Sequence, residues 1–346
     1  LIESCVTFTF VLYGTWFLIT EIFCSALPFG ILFTIALIAA VHFLRVPAPD
    51  PSIVEAIVGK ELDLEGDGYQ MKTVAHRGAG LDAPENSLAA FKMCNDNGCD
   101  AIEFDVSLTS DGVPIVFHDN TVERMSDSNK EISKTQWVDL AKLDISVKHP
   151  YKDRYPNTNI PTLQQTVEQL LSSGQKMFID IKDNNTKMVK IIHDLFAQHN
   201  ELYSKAVVSS FFPNIVYLIR KGDPKIVCSM AWRPNVFANE YFKYPEGPGP
   251  RRYSIWYKHY TAYLLDILLE WAFPRVLFYL LGLSIVLLHK DHISPQVIYK
   301  WRKKGVRVMA WTVNSPTEKQ HLARNLKITY LTDTLTGEST THSLSC

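Results

Sequence analysis

Two long apolar runs open the chain. The first extends from Val6 to Thr20, and the second extends from Ile22 to Leu44 with Pro28 as its only interruption. The second run has 23 residues, whereas about 20 helical residues span a bilayer. The pattern therefore predicts a membrane anchor within residues 1–45, formed by one helix or by two helices in a hairpin. A cleaved signal peptide is the alternative, but the stretch is too long and lacks a clear small-residue cleavage site.

From residue 73 onward, short apolar and β-branched runs alternate with segments of helical length. The eight runs are Thr73–His76, Ala101–Asp105, Met177–Asp180, Ala206–Ser209, Ile226–Met230, Ser284–Leu288, Val306–Thr312 and Ile328–Asp333. Eight such strands within residues 73–337 predict an α/β protein with a (β/α)8 TIM barrel, a fold of roughly 250 residues. An open, doubly wound sheet is the alternative, although no Gly-rich dinucleotide fingerprint follows the first run. We predict a Pro- and Gly-containing linker at residues 46–72 and a C-terminal tail at residues 338–346.

Two insertions interrupt this alternation, and the first is a hairpin after the second strand. Asp111-Gly112 separates two alternating runs, and this dipeptide is a strong signal for a two-residue turn. Pairing about that turn places Asp105 opposite His118. We therefore expect the returning strand to bring His118 to the mouth of the barrel rather than to add a ninth barrel strand.

The second insertion covers residues 231–283, after the fifth strand. A loop rich in proline and glycine leads into an apolar, aromatic stretch from Ile255 to Leu283. Asp266, Glu270 and Arg275 interrupt that stretch and Pro274 breaks it, and a crossing here would leave the last strands on the wrong side of the membrane. A spanning helix is therefore the weaker interpretation. Because insertions after barrel strands lie at the active-site face, we expect an apolar lip that rests on the membrane surface.

Composition narrows the class of protein. The 346 residues carry 35 Lys and Arg against 36 Asp and Glu, which argues against a strongly basic nucleic-acid binder. Hydrophobic residues make up 47% of the chain, far too many for a disordered protein. Six cysteines are too few for a disulfide scaffold in a chain of this length, and the lack of a C-x-x-C pair argues against a zinc ribbon.

Acidic side chains follow the second and third predicted strands. In Glu103-Phe104-Asp105 the strand alternation puts both carboxylates on one face, and Asp180 ends the next strand. Three convergent carboxylates without a His or Cys partner suit a hard divalent cation, Mg²⁺ before Ca²⁺. Without such a cation the carboxylates would raise each other's pKa values.

Histidines and cations occupy neighbouring strand ends. His76 and His118 are placed to serve as general acid and base near neutral pH. Arg77 and Lys182 supply fixed positive charge for a phosphate. A cation site, two histidines and two basic side chains together predict phosphoryl-transfer chemistry.

The motifs resemble the glycerophosphodiester phosphodiesterase family. Those that carry the resemblance, in order, are His76-Arg77-Gly78, Pro84-Glu85-Asn86-Ser87, Glu103-Phe104-Asp105-Val106, Asp111-Gly112-Val113-Pro114, His118-Asp119, Asp180-Ile181-Lys182, Trp311-Thr312-Val313-Asn314 and Thr332-Asp333. The match covers residues 73–337. The apolar N-terminus and the aromatic insertion resemble, more narrowly, the membrane-bound animal glycerophosphoinositol phosphodiesterases. Asp180 departs from the family pattern, which has Glu there, so the metal position or preference is expected to differ.

The resemblance implies roles for individual residues. By position it implies metal ligation by Glu103, Asp105 and Asp180, acid–base catalysis by His76 and His118, and phosphate binding by Arg77 and Lys182. It implies that Glu85 orients the first-strand loop or the glycerol, with a simple helix cap as the alternative. It implies that Trp311 walls the glycerol pocket, with ordinary barrel packing as the alternative.

The resemblance also implies a reaction. One histidine deprotonates the glycerol 2-hydroxyl or a water, and the other protonates the leaving alcohol, which yields glycerol 3-phosphate and an alcohol such as inositol. A lysophospholipase D acting on lysophospholipids or N-acyl glycerophosphoethanolamines is the second hypothesis. A catalytically dead membrane scaffold is the third, and the intact set of polar residues argues against it.

One N-x-[ST] sequon bears on location. Asn184-Asn185-Thr186 predicts N-glycosylation at Asn184 and hence a lumenal or extracellular catalytic domain. Arg45 and Lys60, which follow the apolar run, mildly favour the opposite orientation. We follow the sequon and the resemblance, which place the protein in the plasma membrane or the ER and Golgi membranes, and expect any glycan to point away from the barrel mouth.

Overall fold

The computed structural model describes residues 12–20, 29–60 and 71–336, and the chain divides into two units at residues 45 and 46. In the first unit, residues 12–20 are helical and α1 spans Phe29–Leu44. Among the described residues, no helix combines the length and the apolar character that a membrane crossing requires. The rest of the predicted anchor lies outside the described residues.

The second unit is built on a closed parallel barrel. Its eight strands are β1 (Thr73–Ala75), β2 (Ala101–Leu108), β4 (Lys176–Ile181), β5 (Ala206–Ser210), β6 (Cys228–Trp232), β9 (Ile285–His289), β10 (Arg307–Trp311) and β11 (Thr329–Thr332). The sheet closes because β1 pairs in parallel with both β11 and β2. The predicted barrel is confirmed, and the open-sheet alternative is wrong.

Helices surround this barrel. They are α2 (Pro51–Val58), α3 (Leu88–Asp96), α4 (Trp137–Leu140), α5 (Leu163–Ser172), α6 (Lys187–Gln198), α7 (Leu202–Lys205), α8 (Pro213–Gly222), α9 (Trp256–Ala272), α10 (Phe278–Leu281), α11 (Pro295–Arg302) and α12 (Pro316–Gln320). The main core lies between helices and strands; for example, Phe104 of β2 packs on Phe91 of α3 with ring centroids 5.8 Å apart. Because Phe104 faces outward, its neighbours Glu103 and Asp105 face the barrel interior.

The interval predicted as a linker differs in the structure. Residues Pro51–Val58 form helix α2, whose first turn is capped by the Asp50 side chain. Ile57 and Val58 are buried together with Val74, at the amino end of β1. Part of the interval is therefore packed domain, because its apolar residues have the spacing of an amphipathic helix.

A buried arginine ties the start of this unit to the insertion. The Arg220 guanidinium donates to the carbonyls of Pro224 and Ile226 at 2.8 and 2.7 Å and to that of Leu281 at 3.3 Å. It also donates to the carbonyl of Pro47. Burial lowers the pKa of Arg220, and four carbonyls compensate the desolvated charge.

The hairpin after β2 forms, but with a different register. β3 (Pro114–Val116) pairs antiparallel with β2 so that Val106 faces Val116, and Phe117 donates its N–H to the Asp105 carbonyl at 3.0 Å. The predicted pairing of Asp105 with His118 is therefore wrong by one residue. The cause is a three-residue loop, in which Gly112 adopts a φ of +81° and Asp111 accepts the Thr109 hydroxyl.

The second insertion forms the predicted apolar helix. A short hairpin of β7 (Phe242–Lys243) and β8 (Gly247–Pro248) precedes α9. Pro274 does not end the helical path, because a π-helical segment at Phe273–Leu277 accommodates it and leads into α10. A π-helical turn widens the helix locally and so tolerates the backbone hydrogen bond that proline cannot donate.

Candidate active site

Three buried carboxylates converge at the carboxyl end of the barrel strands. One oxygen from each of Glu103, Asp105 and Asp180 lies within 4.8 Å of the others. Asp105 and Asp180 are direct register partners on β2 and β4, and Glu103 is two residues before Asp105 on the same face. The alternation read from the sequence therefore does bring the three predicted side chains together.

The electrostatics of this cluster favour a cation. Burial and the negative charge of Asp105 raise the pKa of Glu103 to about 8. Oδ1 of Asp180 is buried without a hydrogen-bond partner, which is costly unless a ligand satisfies it. Oxygen donors in a buried, negatively charged cluster fit a hard divalent ion. Glu103, Asp105 and Asp180 are therefore the residues that would hold a metal.

Two basic side chains contact the same cluster. Nζ of Lys182 lies 2.9 Å from Asp105 and also contacts Asp180, while Nε of Arg77 lies 3.2 Å from Asp105. Despite burial, these two charges hold the pKa of Asp105 well below its usual range. The expectation that all the carboxylates raise each other's pKa values is thus wrong for Asp105, because the Arg77 and Lys182 side chains pair directly with Asp105 and not with Glu103. Both cations face the cavity described below, where a phosphate would meet them.

His76 is oriented by an acidic partner. Its Nδ1 lies 2.6 Å from Asp333, and because a carboxylate only accepts, Nδ1 carries a proton. Asn314 holds Asp333 in turn, through two hydrogen bonds of 2.8 Å. Burial lowers the pKa of His76, but the negative charges of Glu103 and Asp333 outweigh it, so the pKa stands above its usual value. The Nε2 atom lies 3.9 Å from Glu103 and is the ring nitrogen that can exchange a proton with a substrate.

His118 has the same arrangement with Asp119. The two side chains meet through Nδ1 at 2.6 Å, and Nε of Arg124 donates to the other oxygen of Asp119 at 2.6 Å. Burial, only partly offset by the charges of Asp105 and Asp119, holds the pKa of His118 below its usual value. The two histidines are thus shifted in opposite directions, which favours His118 as base and His76 as acid.

Glu85 links the two halves of the site. It accepts from Nη1 of Arg77 at 3.0 Å and from both terminal nitrogens of Arg124 at 2.6 and 2.9 Å. Glu85 does not cap the following helix, because the Ser87 hydroxyl accepts from the Ala90 N–H and does so instead. Its observed role is to hold two arginines.

The loop after β1 is folded tightly over the site. Arg77 has a φ of +54° and Asn86 a φ of +55°, and strained backbone of this kind concentrates at functional sites. Asn86 donates to Asp105 at 2.8 Å and accepts its N–H at 3.1 Å. Gly78 has a φ of +76°, and a Cβ there would lie 2.8 Å from the Phe91 ring. Only glycine fits at this position.

A cavity of about 920 Å³ opens over these groups. Besides His76 and His118, aromatic rings form a substantial part of its wall: Phe178, Phe211, Phe212, Phe237, Tyr241, Phe242, Tyr253, His289 and Trp311. Trp311 donates its indole N–H to the Leu287 carbonyl at 3.2 Å and packs edge-on against Phe211. Trp311 is thus both a cavity wall and a barrel contact.

Asn184 lies at the rim of this cavity. It is exposed, as an acceptor for a glycan must be, and its Oδ1 accepts from the Asn214 side chain at 2.7 Å. Because Asn184 also lines the cavity, a glycan there would start at the mouth. That such a glycan points away from the mouth stays a prediction.

Several residues of the site had no predicted role. Four of them lie within the quoted motifs: Asn86, Asp119, Asn314 and Asp333. Their contacts with the functional side chains become visible only in the folded structure. Arg124 lies in a loop without periodicity, six residues after His118. No pattern in the sequence pointed to it.

Comparison with known proteins finds relatives of this chain. The model of the glycerophosphoryl diester phosphodiesterase family matches residues 76–334. The chain is 33% identical to glycerophosphodiester phosphodiesterase 1 of Homo sapiens and 34% identical to that of Mus musculus, each over 79% of this chain and 81% of the relative. A phosphodiesterase from Oleispira antarctica, solved with the product sn-glycerol 3-phosphate, shares the fold with a TM-score of 0.59 and 22% identity; the match covers 76% of this chain and 92% of that one.

Proposed function

Because the chain belongs to the glycerophosphoryl diester phosphodiesterase family and is a glycerophosphodiester phosphodiesterase, we propose that it is a membrane-anchored, metal-dependent enzyme that hydrolyses glycerophosphodiesters such as glycerophosphoinositol to glycerol 3-phosphate and an alcohol. The observation that carries the proposal is the meeting of three carboxylates, two oppositely shifted histidines and two basic side chains in one cavity.

Each of these groups has a step in the proposed reaction. Neutral His118 removes a proton from the glycerol 2-hydroxyl or from a water, and protonated His76 gives one to the leaving alcohol. Arg77 and Lys182 exchange their carboxylate contacts for the phosphate oxygens and stabilise the charge that develops there. Attack by the 2-hydroxyl gives a cyclic glycerophosphate, which water then opens.

The carboxylate cluster supports metal dependence. A bound Mg²⁺ would supply Lewis-acid polarisation of the phosphodiester. Glu103, Asp105 and Asp180 would hold it, and Ca²⁺ is the other ion that suits oxygen donors of this kind. The shorter Asp at position 180, where the family pattern has Glu, is the residue we expect to tune the choice of ion.

The size and lining of the cavity favour a second candidate. Glycerol 3-phosphate fills only part of about 920 Å³, and rings from the insertion, such as Phe237 and Phe242, extend the wall beyond the polar cluster. An acyl chain would bury those rings. A lysophospholipase D activity toward lysophospholipids or N-acyl glycerophosphoethanolamines is therefore the alternative to a water-soluble substrate.

One assay separates these candidates. The full chain is incubated with glycerophosphoinositol and, separately, with a lysophospholipid, each with and without EDTA. We expect EDTA-sensitive release of glycerol 3-phosphate from the first substrate. Release of lysophosphatidic acid from the second alone would make the lipid activity the main one, and release from neither would support a dead scaffold.

Location is part of the proposal. The apolar segment ending at residue 44 is the proposed anchor, and the exposed sequon at Asn184 supports a lumenal or extracellular catalytic domain in the plasma membrane or the ER and Golgi membranes. A glycosidase that shifts the wild-type band but not Asn184→Gln would support this. An unshifted band in both would count against glycosylation and this orientation.

A further inference from the structure

Helix α9 exposes an apolar face along its whole length. Eight apolar side chains on one side of the helix are between 44% and 69% exposed: Trp256, Tyr257, Tyr260, Tyr263, Leu264, Ile267, Leu268 and Trp271. Leu265, which is 47% exposed, lies just outside this group. At 3.6 residues per turn the eight fall within one sector of about 140°. Soluble monomers rarely expose a continuous apolar patch of this kind without a partner. We call these eight residues the α9 face.

The opposite side of the helix fixes this orientation. Ala262, Asp266 and Leu269 are buried against the barrel domain. The Asp266 carboxylate accepts the N–H groups of Phe237 and Ala238 at 3.0 and 2.9 Å. A buried carboxylate that accepts two hydrogen bonds keeps the helix from rotating about its own axis. The exposed face is therefore a fixed property of the fold.

The chemistry of the α9 face fits a lipid surface. Tryptophan and tyrosine, which have an apolar body and a polar tip, concentrate at membrane interfaces. Between residues 251 and 275 the exposed charges are Arg251, Arg252, Lys258 and Arg275, against Glu270 alone. Arg275 stacks on Trp271 of this face, and Arg251 and Arg252 lie just before the helix; cations placed beside an apolar face complement anionic lipid headgroups.

The ends of the insertion also favour a membrane. Tyr253, just before α9, lines the cavity. At the other end, Leu280 accepts the N–H of Val46 at 2.9 Å, and Val46 is the first residue of the domain after the apolar segment. Helix α9 has 17 residues, or about 25 Å. The insertion thus extends from the cavity rim to the point where the domain joins its apolar segment.

We propose that the α9 face docks on an anionic lipid surface and holds the cavity rim at headgroup level. Docking itself is independent of the reaction. Its use, to admit substrates that lie in the membrane, rests on the proposed function.

The test measures lipid contact directly. The full chain is reconstituted in phosphatidylcholine vesicles, with or without phosphatidylserine, whose acyl chains carry bromine, and tryptophan quenching is recorded. Quenching is expected to fall by at least a third in Trp256→Phe/Trp271→Phe and to be stronger with phosphatidylserine. Trp137→Phe, in a separate apolar cluster, is the matched control. Equal quenching in the double variant and the wild type would overturn the proposal.

A second variant separates docking from catalysis. Leu264→Gln/Leu268→Gln should slow hydrolysis of a vesicle-borne lysophospholipid at least fivefold and leave hydrolysis of glycerophosphoinositol unchanged. Val138→Gln, at an equally exposed apolar site, should change neither. If the double variant instead turns a dimer into a monomer with quenching unaltered, the face binds a second copy and the proposal is wrong. If the wild type hydrolyses neither substrate, the proposed function fails while the quenching result still decides docking.

Discussion

Arg124 binds Glu85 through both of its terminal nitrogens, at 2.6 and 2.9 Å. Its remaining nitrogen holds Asp119, which in turn holds His118. A loop arginine thereby connects the phosphate-facing Arg77, through Glu85, to the proposed general base. It touches no reacting group, so we regard it as a positioning residue.

Replacing this arginine should impair His118 without removing it. In Arg124→Gln, kcat should fall about 10- to 100-fold. Asp119 loses a positive neighbour, so it stabilises protonated His118 more strongly and the acid limb of the pH–rate profile should move to higher pH. Arg124→Lys should recover part of the loss. A reduced kcat with an unshifted acid limb would show that Arg124 acts only on folding.

The two histidines should control opposite limbs of the pH profile. The pKa of His118 is lowered and that of His76 is raised, so activity requires a pH above the first value and below the second. His118→Ala should remove the acid limb and His76→Ala the alkaline limb, each with a rate loss of about 10² to 10⁴-fold. Near-full turnover in both variants would refute the assignment, provided that circular dichroism shows intact folds.

Metal affinity should depend on pH through Glu103. Below its pKa of about 8, a proton must leave before the metal binds, so the apparent Kd should rise about tenfold for each pH unit of acidification. Isothermal titration with Mg²⁺ between pH 6 and 9 measures this slope. Glu103→Gln removes the proton competition and should bind Mg²⁺ weakly, with a flat pH dependence over that range. A wild-type Kd that is equally flat would contradict the prediction.

The stability of the metal-free protein should fall as the pH rises, whereas its affinity for Mg²⁺ should increase. The folded-state pKa of Glu103 lies above its unfolded value, so this group's contribution to the free energy of unfolding is fully present below pH 4.5 and is lost as the pH rises through about 8. Mg²⁺ should therefore raise Tm more at pH 8.5 than at pH 6. A larger shift at pH 6 would contradict the assignment.

Gly78 should be the least replaceable residue of the first-strand loop. Gly78→Ala combines a φ of +76° with a Cβ 2.8 Å from the Phe91 ring, and should lower the free energy of unfolding by about 2–3 kcal/mol. Gly98→Ala is the control, because its φ is +73° but no atom lies within 4 Å. Denaturant unfolding should give a cost of only about 1 kcal/mol there. If both variants lost the same free energy of unfolding, the clash with Phe91 would not be the cause.

The sequence predicted those features that depend on periodicity. Alternation alone placed Glu103 and Asp105 on one face, and the eight runs specified the barrel. The hairpin register could not be predicted, because Gly112 closes a three-residue loop as readily as a two-residue one. Arg124 lies 39 positions after Glu85 and 5 after Asp119. No local sequence pattern encodes contacts at these separations. The packing of α2 was missed because prolines before it resembled a linker.

The carbonyls gathered by Arg220 define where the catalytic unit can be cut. Proteolysis or truncation before Val46 leaves all four guanidinium contacts in place. Removal of Pro47 deletes one of them and leaves a buried N–H of Arg220 without an acceptor. A truncated form that starts at Val46 should therefore keep the stability of the catalytic unit, whereas one that starts after Pro47 should lose part of it.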